Sequence, residues 1–118
     1  MKIGILEDYP ALGRTLQLSL GAAGHTVQAS QTVKEFLTFV TSPVPADLII
    51  VDFRLLADLS GVEVIRYLRK ISPDLPAILI SAAPLATLEA ATAGLPRVRI
   101  LQKPFKTPAL LEMIKASA

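Results

Sequence analysis

The sequence predicts an α/β domain in which helices cover both faces of a parallel sheet. Short runs rich in Ile, Val and Leu alternate with segments whose apolar residues recur at intervals of three and four. Several of the short runs are continuously apolar, which is typical of strands that are buried on both faces. Strict alternation of strand and helix indicates parallel strands, because these need crossover connections.

Five runs are predicted to be strands, and three of them are continuously apolar. The five runs are Lys2–Leu6, Thr26–Ala29, Leu48–Val51, Ala77–Ile80 and Val98–Leu101. Their lengths are ordinary for strands of globular proteins. The periodicity does not give the order of these strands in the sheet.

The first two helices are predicted from spacing and end signals. Leu12, Leu16 and Leu20 share helical spacing, and Gly24 follows as a stop. The second helix begins at Thr32, which together with a glutamate three residues later forms a capping box. The glutamate is Glu35, and the apolar face is formed by Phe36, Leu37 and Val40. The helix ends at the proline-rich segment Ser42–Pro45.

The third helix begins near Gly61 and closes at Ser72-Pro73. Its apolar face is followed by basic residues, which suit the negative end of the helix dipole. The apolar residues are Val62, Val64, Ile65 and Leu68, and the basic residues are Arg66, Arg69 and Lys70.

Two further helices complete the pattern. The fourth, Leu85–Ala93, is rich in alanine and carries Glu89 as its only formal charge, so it is either partly covered by a partner or simply well packed. The fifth starts with Thr107 as N-cap and Pro108 at the first helical position. Its apolar stripe is Leu110, Leu111 and Ile114.

Composition narrows the class of protein. A chain of 118 residues with 52% apolar and 19% charged residues is one folded domain, residues 1–118. The net charge is +2, the basic residues are scattered along the chain, and only 5% of residues are aromatic. A nucleic-acid interface is therefore not expected. The chain contains no cysteine, no apolar run long enough to span a membrane and no signal-peptide pattern, and the expected location is the cytoplasm.

Polar side chains follow four of the predicted strands. Glu7-Asp8, Asp52, Ser81 and Lys103 each come at or just after a strand end, and parallel strands bring such ends to one edge of the sheet. Each residue alone is an ordinary turn or cap residue. Together, the carboxylates are hard oxygen ligands suited to Mg²⁺, and their mutual repulsion favours a divalent cation. An aspartate beside such a cation and a lysine can act as nucleophile towards a phosphoryl group.

This ordered set resembles the response-regulator receiver domains of two-component signalling. The resemblance covers essentially all 118 residues and implies a flavodoxin-like (βα)5 doubly wound fold with strand order 2-1-3-4-5. It implies that Asp52 is the phosphoacceptor, that Ser81 is the switch hydroxyl and that Lys103 is the lysine that contacts the phosphoryl group. It also implies a cis peptide bond between Lys103 and Pro104. It assigns the Mg²⁺ site to Asp8, Asp52, the carbonyl of Arg54, and Glu7 acting mainly through water.

The resemblance also implies a function. The domain would take a phosphoryl group from a histidine kinase or a histidine phosphotransfer protein and change its fourth-helix and fifth-strand surface. Dimerisation through the fourth and fifth helices is possible. The chain would be a signalling domain that assists its own phosphorylation and dephosphorylation, either stand-alone or part of a hybrid kinase or larger regulator. The cognate kinase and the output are not readable from the sequence.

Two positions depart from the receiver pattern. Ile100 stands where the family usually has an aromatic residue whose ring reports phosphorylation, and isoleucine cannot make that movement. Leu56 replaces a common proline, and the segment Arg54–Gly61 is one residue longer than usual. These departures favour an alternative, a degenerate receiver that acts as a phosphorylation-independent interaction module, whereas the complete charged set favours the phosphoacceptor.

An enzyme is the remaining alternative. Phosphatases of the haloacid-dehalogenase kind need a second aspartate two residues after the nucleophile, where this chain has Arg54. Arg54 either reaches phosphate or is a solvated loop residue. The single histidine, His25, is expected to be a surface turn residue, so no catalytic triad is available.

Overall fold

A computed structural model describes residues 1–55 and 59–117. Strands and helices alternate along the chain as predicted. The strands are β1 (Lys2–Leu6), β2 (Thr26–Ser30), β3 (Leu48–Asp52), β4 (Ala77–Ser81) and β5 (Val98–Gln102); the helices are α1 (Pro10–Ala22), α2 (Val33–Val40), α3 (Gly61–Ile71), α4 (Leu85–Ala91) and α5 (Thr107–Ser117). Leu56 lies outside the described residues, as does part of the segment whose extra length was predicted.

The five strands form one parallel sheet in the order β2-β1-β3-β4-β5. This confirms the order that the family resemblance implied. The central strands β3 and β4 are buried along their whole length. Because every strand points the same way, all carboxyl ends lie along one edge of the sheet.

Alternating side chains of the sheet form two hydrophobic cores. One core joins the sheet to α2, α3 and α4, and its members include Phe36, Ile49, Val51, Ile65, Leu68, Leu79 and Leu88. The other joins the sheet to α1 and α5 through Ile3, Ile5, Leu16, Leu20, Ile50, Ile78, Leu110 and Ile114. Helices therefore cover both faces, as the continuously apolar runs predicted.

The observed element ends differ from the predicted ones by one or two residues. Asp52 and Ser81 belong to their strands, since Asp52 pairs with Ile80 and Ser81 with Gln102 in register. Helix α4 stops at Ala91, two residues earlier than predicted. Helix α5 begins at Thr107 itself, because the carbonyl of the preceding Lys106 accepts the first helical hydrogen bonds, and Thr107 is therefore not the N-cap.

Side chains hold the region around β2. Gln17 on α1 accepts a hydrogen bond from the backbone N–H of Ala29 at 2.8 Å, on the edge strand. At the start of α2, Thr32 accepts a hydrogen bond from the N–H of Glu35 at 3.2 Å, as the predicted capping box requires.

Within the two described ranges, no helix has the length and apolar character needed to cross a membrane.

Candidate functional site

Acidic side chains meet at the carboxyl edge of the sheet. Glu7 and Asp8 follow β1, and Asp52 is the last residue of β3. These three residues offer carboxylate oxygens that all lie within 4.8 Å of one another. The structure therefore brings together the acidic residues that the strand pattern predicted to converge.

Lys103 connects two of these carboxylates. Its Nζ donates to Glu7 Oε1 at 2.9 Å and to Asp52 Oδ2 at 3.1 Å. Burial acts to lower the pKa of Lys103, but the hydrogen bonds and charges of the two carboxylates outweigh this effect and raise it. Lys103 is therefore held as an ammonium group beside Asp52. The Lys103-Pro104 peptide bond is cis, as the resemblance implied.

The expected role of Glu7, acting on the metal mainly through water, stays a prediction. Glu7 is only 1% exposed and bonds directly to Lys103. Burial, followed by the nearby Asp52 carboxylate, raises its pKa to about 8. Its second oxygen, Oε2, is buried and has no hydrogen-bond partner in the described part of the chain.

The donor set fits a divalent cation. Glu7 Oε2, which has no hydrogen-bond partner among the described residues, and the neighbouring carboxylates of Asp8 and Asp52 are hard oxygen donors of the kind that Mg²⁺ prefers. The N–H of Arg54 donates to Asp52 Oδ1 at 3.2 Å and orients that carboxylate. The role of the Arg54 carbonyl as a ligand stays a prediction.

An open pocket of about 440 Å³ lies beside the Asp52 carboxylate. Its lining is formed by Asp52, Arg54, Ser81, Ala82, Ala83, Pro84 and Lys103. Ser81 is buried, and its Oγ accepts a hydrogen bond from the N–H of Ala83 at 3.0 Å. The Arg54 side chain is exposed. The predicted acceptor, hydroxyl and lysine thus share one solvent-accessible space that can hold a phosphoryl group.

Gly61 packs against the backbone of the strand that carries Asp52. It is the first residue of α3, and its N–H donates to the carbonyl of Phe53 at 2.8 Å. A Cβ at this position would overlap the carbonyl oxygen of Asp52 and lie 2.8 Å from Val51 Cγ1. The close approach of α3 to the acceptor strand therefore requires glycine.

Sequence reasoning missed Gln102, the residue immediately before Lys103. Its Nε2 donates to the carbonyl of Ala83 at 3.0 Å, so it binds the loop that lines the pocket. The available signal was weak, because this strand also carries Arg99 and a polar residue at its end does not stand out. Ile100 is half-buried and packs against the core shared with α2, α3 and α4.

His25 lies in the turn before β2, as expected, and is half-buried. Its Nδ1 lies 3.2 Å from the amino group of Met1. Burial, followed by this positive charge, lowers the pKa of His25. It lies at the amino ends of the strands, away from the carboxylates at the opposite edge.

The raised pKa of Glu7 predicts a pH-dependent stability of the metal-free protein. Glu7 titrates near 4.5 when unperturbed and at about 8 in the fold, so its contribution is fully present below pH 4.5 and lost as pH rises through about 8. We expect a loss on the order of a few kcal/mol across this window. Urea unfolding in EDTA at several pH values, for the native chain and Glu7→Gln, measures it. Parallel pH profiles of the two proteins would contradict the prediction.

Comparison with known families gives one match over nearly the whole chain. The family model of the response regulator receiver domain matches residues 3–115. The transcriptional regulatory protein FixJ of Rhizobium meliloti (strain 1021) is 29% identical over 119 residues, covering 98% of this chain and 56% of FixJ. The response regulator MprA of Mycolicibacterium vanbaalenii is 29% identical over 116 residues, covering 98% of this chain and 49% of MprA. The chain thus spans about half the length of these curated relatives.

Solved structures share the fold. The chemotaxis protein CheY4 of Vibrio cholerae superposes with a TM-score of 0.89 at 19% identity, over 99% of this chain and 98% of CheY4. The response regulator TrrA of Thermotoga maritima, solved with Mg²⁺ and BeF, superposes with a TM-score of 0.83 at 24% identity, over 99% of this chain and 98% of TrrA. At these identities the likeness concerns the fold.

Proposed function

The chain belongs to the response regulator receiver domain family, and on that premise we propose that Asp52 accepts a phosphoryl group in a Mg²⁺-dependent reaction. The observation that carries the proposal is the contact of Lys103 Nζ with Asp52 Oδ2 at 3.1 Å, between two residues that line the open pocket. A carboxylate held beside an ammonium group in the lining of an open pocket is placed to meet a phosphodonor. The domain serves two-component signalling.

The chemistry is a single displacement at phosphorus. A carboxylate oxygen of Asp52 attacks, an oxygen–phosphorus bond forms, and the bond to the donor breaks with its electron pair leaving on the donor. Lys103 neutralises charge on the transferring oxygens, and the Ser81 hydroxyl donates a hydrogen bond to one of them. The product is an acyl phosphate on Asp52.

Asp8, Asp52 and Glu7 are the proposed Mg²⁺ ligands, directly or through water, together with the carbonyl of Arg54. The cation, when bound, supplies positive charge that offsets the negative charge of the carboxylates and of the phosphodonor. TrrA, a protein of the same fold, was solved with Mg²⁺ and BeF, which supports the presence of a Mg²⁺ site in this domain.

The proposed phosphodonor is a histidine kinase or a histidine phosphotransfer protein. We further propose that the response reaches the surface of α4, β5 and α5, through which two copies could pair. This is supported by α4, where Leu85 is 46% exposed and Leu88 alone is buried. The helix is therefore not covered within the chain along most of its length, which fits the partner interpretation of its alanine-rich sequence.

The test is the intact mass of the native chain after incubation with acetyl phosphate, with and without Mg²⁺. We expect one phosphoryl adduct that needs Mg²⁺ and that hydroxylamine removes, as it does for an acyl phosphate. Peptide mapping should place it on β3. A well-behaved receiver labelled in parallel is the control. If that control is labelled and this chain is not, the interaction-module alternative becomes the better description.

A further inference from the structure

One residue of the loop between β4 and α4 is held by side chains at both its backbone N–H and its backbone carbonyl. In this β4–α4 loop, residues 82–84, the N–H of Ala83 donates to Ser81 Oγ at 3.0 Å. The carbonyl of Ala83 accepts from Gln102 Nε2, also at 3.0 Å. Ser81 and Gln102 are paired in register at the ends of adjacent strands, so the two side chains fix Ala83 from neighbouring positions.

The same segment of β5 also reaches the acceptor. The N–H of Lys103 donates to the carbonyl of Ser81 at 2.7 Å, while its Nζ bonds Asp52. Gln102 and Lys103 are adjacent, so one residue holds the loop and the next holds the carboxylate. A change in the position of either contact is passed to the other through a single peptide bond.

Ile100 cannot hold the β4–α4 loop by a hydrogen bond. Its side chain has no polar atom and packs against the core. Gln102, by contrast, is exposed, and its bond to Ala83 restrains a loop whose other members, Ala82 and Pro84, are exposed. Ala83 itself is buried at 7% exposure, which limits access of water to its backbone N–H and carbonyl.

The geometry of Ser81 explains why the loop position matters. A serine hydroxyl has one hydrogen to donate and lone pairs that accept. While Ser81 Oγ accepts from the N–H of Ala83, its hydrogen is directed elsewhere and is free to face the pocket beside Asp52. If Ala83 moves away, the hydroxyl loses this orientation.

We propose that Gln102 is a positioning residue that holds the β4–α4 loop so that the Ser81 hydroxyl can donate to the phosphoryl group on Asp52. The proposal rests on the proposed function. Gln102 does not touch the reacting atoms; it acts through Ala83 and Ser81. The chain thereby ties its loop to β5 through an amide at position 102, without a polar group at position 100.

Replacement Gln102→Leu tests the proposal, because leucine keeps much of the side-chain volume and removes the donor. We expect the rate of phosphorylation by acetyl phosphate with Mg²⁺ to fall about three- to tenfold, as for loss of one hydrogen bond. The matched control is Gln28→Leu, which removes a glutamine hydrogen bond to Ser30 Oγ at 3.2 Å on the opposite edge strand. This control should leave the rate unchanged.

A second variant separates positioning from general structure. In a Ser81→Ala background, Gln102→Leu should have no further effect on the rate, because the residue through which it acts is gone. In the native background the amide NMR signal of Ala83 should shift on Gln102→Leu. An equal rate for the native chain and Gln102→Leu overturns the proposal, and so does an undiminished effect in the Ser81→Ala background. Should the native chain take no phosphoryl group, the proposed function itself fails and this role of Gln102 falls with it.

Discussion

The Asp52→Asn chain is expected to take up no phosphoryl group from acetyl phosphate, even with saturating Mg²⁺. An asparagine side chain has nearly the same shape as aspartate but lacks the nucleophilic carboxylate, so the rate should fall at least about a thousandfold. Lys103 loses one of its two carboxylate partners but keeps Glu7 at 2.9 Å, which favours retention of the fold. Intact mass spectrometry measures the result.

The matched control for this variant is Asp74→Asn. Asp74 is exposed and precedes β4, at the opposite edge of the sheet from Asp52, so its replacement should leave the adduct unchanged. Labelling of the Asp52→Asn chain at the native rate would show that another carboxylate is the acceptor. Peptide mapping would then distinguish Glu7 and Asp8 as the alternatives.

Gly61→Ala should lower the free energy of unfolding by about 3 kcal/mol, because it adds an atom where none fits. The new Cβ would overlap the Asp52 carbonyl oxygen, and backbone cannot move aside as a flexible side chain can. Helix α3 would have to withdraw from β3 and weaken the bond of Gly61 N–H to Phe53. Since Asp52 is the residue displaced, phosphorylation should slow as well. Urea unfolding and the acetyl phosphate assay measure the two effects.

Gly21→Ala is the control for the glycine substitution. Gly21 also lies in a helix, but its added Cβ would meet no atom within 4 Å. Alanine should therefore be neutral or stabilise the protein by up to about 1 kcal/mol, through its better helix propensity. If Gly61→Ala is as stable as Gly21→Ala, the close approach of α3 to β3 is not a constraint on this fold.

Much of the fold was predictable because burial leaves a direct trace in the sequence. The runs around Ile49 and Ile78 are apolar throughout, since helices cover them on both faces. The convergence of Glu7, Asp52 and Lys103 followed from parallel strands alone. Element ends were less predictable, because they depend on single backbone hydrogen bonds, such as those accepted by the carbonyl of Lys106 at the start of α5.

Two features of the site had no clear signal in the sequence. Gln102 bonds a backbone carbonyl in a different segment, and a carbonyl is the same at every position, so residue identity could not reveal the contact. The direct bond of Glu7 to Lys103 depends on which way a buried side chain turns. Residue types and spacing predicted which groups meet, whereas the hydrogen-bond partners required the structure.

The hydrogen bond from Ala29 to Gln17 has a consequence for solubility. An edge strand with free backbone donors can recruit a strand from another molecule and so begin aggregation. Here the side chain of Gln17 already occupies the N–H of Ala29 on β2. A second copy that approached this edge would have to displace Gln17 before it could extend the sheet. The contact therefore disfavours edge-to-edge growth of the sheet.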